Sequence, residues 1–293
     1  TALGKSALEQ NTTANFNTAI GSKALKSNTT GSDNTAVGRT CLFDNTTGSS
    51  NTAVGKDALA NNTTADNNTA VGTNASLTNT TGSSNTSVGH QAMYYNTTGD
   101  NNVAVGPNSL LNNTTADNNT AIGYFSLTAN TTGQKNVAVG GTALDANTTG
   151  DFNTAVGFKA LSANTTADSN TAVGYGALEG NTTGTNNTAV GFFALDACTT
   201  GQLNVGVGNN ALSGVTTGEK NVAVGYNAGV AITDAEDNVA IGQQALEGNV
   251  NGDKNIAIGT RALDLNTASD NVAIGHEALR NNTTGTFNVA TGT

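Results

Sequence analysis

An asparagine returns every 17 residues along this chain. Asn17, Asn34, Asn51 and Asn68 open a series that keeps that spacing to Asn255, and Asn271 and Asn288 continue it after one copy shortened by a residue. A period of this length restricts the chain to repeat architectures, in which each repeat is one structural unit stacked on its neighbours. Thr1-Ala2-Leu3-Gly4 falls in register with Thr18-Ala19-Ile20-Gly21, and the last repeat stops at Thr293. The sequence therefore opens and closes inside a repeat. No segment breaks the period, so residues 1–293 read as a single continuous domain, expected to be a piece of a longer protein.

Counted from the recurrent Asn, one repeat reads N-T-A-V-G-x-x-A-L-x-x-N-T-T-G-x-x, and its positions are referred to below as columns 1 to 17. A helix of useful length needs apolar residues three and four apart, whereas here Thr, Val and Ile cluster between Gly and Asn. The pattern predicts an all-β fold, a parallel β-solenoid with one repeat per coil. Each coil is expected to hold two short strands, "NTAVG" and "ALxxNTT", joined by tight turns. Coils stacked about 4.8 Å apart would carry the array over roughly 80 Å.

The columns assign roles. Asn side chains stacked directly above one another can pass amide hydrogen bonds from coil to coil. Two such ladders are predicted, column 1 with Asn17, Asn34, Asn51 and Asn68, and column 12 with Asn28, Asn45, Asn62 and Asn79. Column 5 is Gly in every copy, as at Gly55 and Gly72, which a positive φ or a close backbone approach would require. Column 4 (Val54) and column 9 (Leu59) are expected to fill the interior, with column 2 (Thr52, Val103) on the same face as column 4. Column 3 points to the opposite face and is Ala throughout except at Ser87 and Gly206. It never admits a long polar side chain, so Ala36, Ala53, Ala70 and Ala104 are predicted to form an interchain contact, with a flattened coil that buries Ala under its own second strand as the alternative.

Charge and chemistry narrow the function. The chain carries 11 Lys and Arg, a net charge of -10 and no basic cluster, which argues against a nucleic-acid partner. No apolar run is long enough to span a membrane. His90 and His276 stand eleven coils apart and cannot share a site within one chain. Cys41 and Cys198 are too distant for a disulfide and are expected to be free thiols. Asp57, Asp66, Asp100, Asp145 and Asp196 are scattered over turn columns, without the paired carboxylates of a glycoside hydrolase or the spacing of a calcium roll. No catalytic residue, cofactor or metal is predicted. The recurrent NTT and NNT sequons are read as structural wherever the Asn ladders are internal. Column 6 turns aromatic at Tyr124, Phe158, Tyr175, Phe192 and Tyr226, with Phe125 and Phe193 beside it, a stripe that would bind sugar rings or pack between coils. Ice binding is a distant alternative, since adjacent Thr-Thr side chains point to opposite faces of an extended strand.

The run "NTAVGKDALANNTTADNNTAVG" resembles the repeats that precede the chaperone domain of many phage tail-fibre and tail-fibre-like bacterial proteins. It is similar, more loosely, to the NSVAIG-type repeat of trimeric autotransporter adhesin heads. The resemblance covers essentially the whole chain. It implies a homotrimeric β-roll, left-handed as in the adhesin heads, serving as an extracellular shaft or head on a virion or cell surface. The partners it implies are further copies of the chain and a cell-surface glycan or receptor. The chain would then be a fragment of a longer fibre protein with no enzymatic role. The alternative is a filament subunit whose open ends at Thr1 and Thr293 stack on the next molecule. Two irregular places stand out for either role, the divergent coil Tyr226–Asp237 and the shortened turn Asn266–Asp270.

Overall fold

The structure, a computed structural model, describes residues 1–292; Thr293, named above as an open end, lies outside them. The chain is a parallel β-solenoid in two compact units, residues 1–150 and 151–293. Each unit carries nine short strands, from Ala2–Leu3 to Val137–Val139 in the first and from Thr154–Val156 to Val289–Thr291 in the second. Within a unit every strand pairs in parallel with the next at a shift of one repeat, as in Thr52↔Thr69, Ala53↔Ala70 and Val54↔Val71. There is no helix among the described residues.

Each coil has one strand, columns 2 to 4, and not the two expected. The "ALxxNTT" arm is a series of turns. Its backbone is left-handed at columns 7 and 9, as at Asp57 (φ 57°) and Leu59 (φ 48°), and a residue there cannot extend. The arm still bonds from coil to coil: the N–H of Leu59 donates to Ala75 O at 3.0 Å and that of Thr63 to Thr80 O at 3.0 Å. This geometry also explains why column 9 is mostly Leu and never Val or Ile, since β-branched side chains tolerate positive φ least.

The strand faces the other way from the sequence expectation. Ala36, Ala53, Ala70 and Ala104 are 0% exposed within the single chain, while Thr52 and Val54 are only half-buried. A residue with no exposed surface cannot meet another chain, so the Ala column belongs to the coil's own core and the Val/Ile column lies outside it. The reason is the narrow bore. Inside each coil, column 3 meets column 9 of its neighbours: a methyl built on Gly206 would sit 3.3 Å from the Leu195 side chain. Space remains for Ala against Leu and for little more. The one place where both columns turn polar shows the same contact, since Ser76 in column 9 donates to Ser87 Oγ in column 3 at 2.9 Å.

The corner after the strand explains the constant Gly. Gly55 has φ 131°, and a Cβ there would come within 2.6 Å of Gly72 O in the next coil. The shortened copy is absorbed in one turn. The amide of Asn62 reaches the carbonyl of Ala65 three residues on, whereas Asn266 reaches that of Ala268 after two. The Asn271 N–H still finds Asn255 Oδ1 at 3.1 Å, so the stacking is kept.

Candidate functional site

Both predicted Asn ladders exist, and they interlock. In column 1 the side-chain oxygen accepts the next coil's backbone N–H, as in Asn51 N–H to Asn34 Oδ1 (2.9 Å). In column 12 amide passes to amide, as in Asn62 Nδ2 to Asn45 Oδ1 (2.8 Å). The remaining amide hydrogens of both converge on one carbonyl: Ala65 O accepts from Asn51 at 2.8 Å and from Asn62 at 3.0 Å. Asn28, Asn34, Asn45, Asn51, Asn62, Asn68 and Asn79 are essentially fully buried, and Asn17 nearly so. A buried amide is tolerable only when its donors and acceptors are met, and here each coil supplies what the next needs. A third ladder runs through column 13, where Thr46 Oγ1 donates to Thr63 O at 3.0 Å and Thr63 Oγ1 to Thr80 O at 3.0 Å.

The second unit interrupts column 12. Cys198, Val215 and Ile232 replace Asn in three successive coils, all fully buried. Asn181, one coil before, is left with a buried Oδ1 that accepts no hydrogen bond. Column 1 compensates in part: Asn204 and Asn221 each add a side-chain bond to the Asn of the preceding coil, at 3.2 Å. Cys41 and Cys198 are both free and buried. Burial pushes the Cys41 thiol up to about 12 and that of Cys198 up to about 11, because the thiolate would lose its hydration. Burial also raises the carboxyl of Asp196, and the nearby Glu179 raises it further. Glu179 is itself paired with Lys159 at 3.0 Å.

The aromatic stripe divides into separate groups. Tyr124 meets Phe125 edge to face at 4.3 Å, within the first unit. In the second, Phe158, Tyr175 and Phe192 stack at 5.5 and 5.4 Å with rings inclined by 23° and 18°, and Phe193 stands edge-on to both Tyr175 and Phe192. Tyr175 thus has both ring faces covered by its neighbours and offers solvent an edge. Stacking a sugar requires a free ring face, so the ladder's middle ring is closed to that mode. Phe193 can cover Gly176 because that residue has no side chain: a Cβ there would lie 2.5 Å from the Phe193 ring. Tyr226 is half-exposed further along the same column.

The sequence reading missed a larger surface. Alternation along the strand turns columns 17, 2, 4 and 6 outward together, as in Phe152, Thr154, Val156 and Phe158. The result is a sheet face of Thr, Val and Ile, bordered in places by aromatic residues. Columns 2 and 4 hold no charged residue anywhere in the chain. The signal was present as a strict alternation of small inward and β-branched outward residues, and it was masked by the expectation that the larger apolar residue points inward.

His90 and His276 are both exposed. Among the described residues no group of three or more His, Cys, Asp or Glu side chains lies close enough to hold a metal ion. A shallow concavity is lined by Glu277, Leu279, Arg280, Asn281 and Asn282, and its arginine is engaged by Asp264 at 3.2 Å and Glu277 at 2.9 Å. No helix among the described residues is long and apolar enough to cross a membrane. Comparison with protein-family models and with curated proteins found no match.

Proposed function

We propose that this chain is a structural segment of a surface appendage, a fibre shaft or adhesin head in which three copies associate to hold a binding element away from a virion or cell. The observation that carries this reading is the set of side-chain ladders running from coil to coil, combined with outward columns 2 and 4 that hold no charged residue. The ladders tie each coil to the next, and the uncharged columns give identical chains a surface on which to meet. The repeat's resemblance to trimeric fibre proteins supports the number three and an extracellular place. The interchain surface is then the Thr/Val and Val/Ile columns, in place of the Ala column. Light scattering after chromatography, on the diluted chain, tests it. A mass near three times 29.1 kDa is expected; a monomer overturns the assembly.

One observation favours a second reading. In the first unit the outward pair is mostly Thr-x-Val, as at Thr52 and Val54, which is the flat hydroxyl and methyl rank that ice binding would use. Thermal hysteresis of the pure protein, present or absent, decides between the two.

A further inference from the structure

The outward face changes character along the chain. In the first unit column 2 is mostly Thr, whose hydroxyls keep water on the surface. From Val205 onward it is Val or Ile in every coil, so rows such as Val222/Val224, Val239/Ile241 and Ile256/Ile258 are wholly aliphatic. They are not covered: Val224 is 38% exposed, Ile241 37% and Ile274 43%. An exposed aliphatic strip of this regularity is unusual on an isolated soluble chain and marks a surface that is covered in use.

We propose that the strip from Val205 to Ile274 is the site at which copies of this chain lock together, side by side with their coils level, and that it fixes the register of the assembly. The inference rests on the reading of the chain as a self-associating shaft. Three features select a second copy as the occupant. First, a partner must repeat at the row spacing of about 4.8 Å to meet every row, and an identical chain does so by construction. Second, the rim is electrically neutral. Column 17 borders the strip with Lys220, Asp237, Lys254 and Asp270, two of each sign, so the rim carries no net charge. Third, the area suffices: ten half-exposed aliphatic side chains would bury on the order of 1,000 Å² between two copies, about the lower bound for a specific interface. The Thr rows of the first unit would add contact but little drive.

The test compares paired substitutions at equivalent column-4 positions, Val224→Asp with Ile241→Asp in the second unit and Val54→Asp with Val71→Asp in the first. Mass is followed by light scattering through a dilution series, and folding by circular dichroism. The second-unit variant is expected to dissociate at concentrations at least ~100-fold above those at which the unmodified chain does, and the first-unit variant within ~10-fold of it. If the Asp pair prevents folding, Val224→Thr with Ile241→Thr replaces it, Thr being the usual occupant of the neighbouring outward column, with a loss of ~10-fold expected. Equal weakening by both pairs, or none by the second-unit pair, overturns the strip's role while leaving self-association intact. An unmodified chain that is monomeric throughout overturns both.

Discussion

Asp196 is a partly buried acid that the fold accommodates poorly. It sits in the turn arm, its Oδ1 has no hydrogen-bond partner, and burial and Glu179 both raise its carboxyl. A carboxyl whose folded-state value is raised adds stability below its unfolded value and loses it as the pH climbs through the folded one. Asp196→Asn is therefore expected to raise the midpoint of thermal unfolding at neutral pH. The advantage should shrink as the pH falls from neutrality towards the ordinary carboxylate value and be gone below it, and a midpoint unchanged at neutral pH counts against the account. Elsewhere at this scale the sequence was informative. Asn51 and Asn62 announced their ladders by recurring at positions where no other polar residue would serve, and Gly55 announced its corner. Asp196 gave no such sign, because its discomfort comes from partial burial beside Glu179, which no column pattern encodes.

The strand is where inference from sequence went astray. Three residues, Thr-Ala-Val, alternate equally well with either face inward, and the usual preference put Val inside. What decides the matter is the bore of the coil, set jointly by Leu59, Ala58 and two buried amides; it leaves column 3 room for a methyl. Ala53→Val is accordingly expected to destabilise the first unit by roughly 1–3 kcal/mol through overpacking. Val54→Thr, on the outer face, should change stability by less than about 0.5 kcal/mol. Denaturant titration of the two variants measures both, and the opposite order would restore the discarded orientation. The second arm was misjudged for a related reason: "NTT" is β-branched and reads as strand, but the left-handed residues just before it, Asp57 and Leu59, are visible only as a scarcity of β-branched side chains in their columns.

At the scale of the whole chain, the two units each carry a buried thiol, Cys41 in the first and Cys198 in the second. With values near 12 and 11, neither is appreciably ionised at pH 8 in the folded state. Both should resist an aqueous thiol reagent, and each should react when its own unit opens. Mass spectrometry of pulse-labelled protein through a denaturant series would read the two openings separately; rapid labelling of either thiol without denaturant would contradict the packing. The sequence showed the period, and therefore the solenoid, because a stacked coil must repeat its hydrogen-bonding groups at a fixed interval. It did not show the change from Thr-bearing to aliphatic rows as a boundary of behaviour, since Thr and Val are nearly isosteric and the alternation runs through both without a break.

The turn that loses a residue between Asn255 and Asn271 while the ladder carries on has a consequence for inheritance. If a coil can be shorter by one residue and still meet its neighbours, a whole coil can be gained or lost with less disturbance, because the surfaces exposed by the cut are copies of each other. A gene built of such near-identical segments is prone to unequal recombination, and its products would differ in length while each still folds. The number of coils then becomes a quantity that a lineage can adjust in steps of one, without inventing a new sequence.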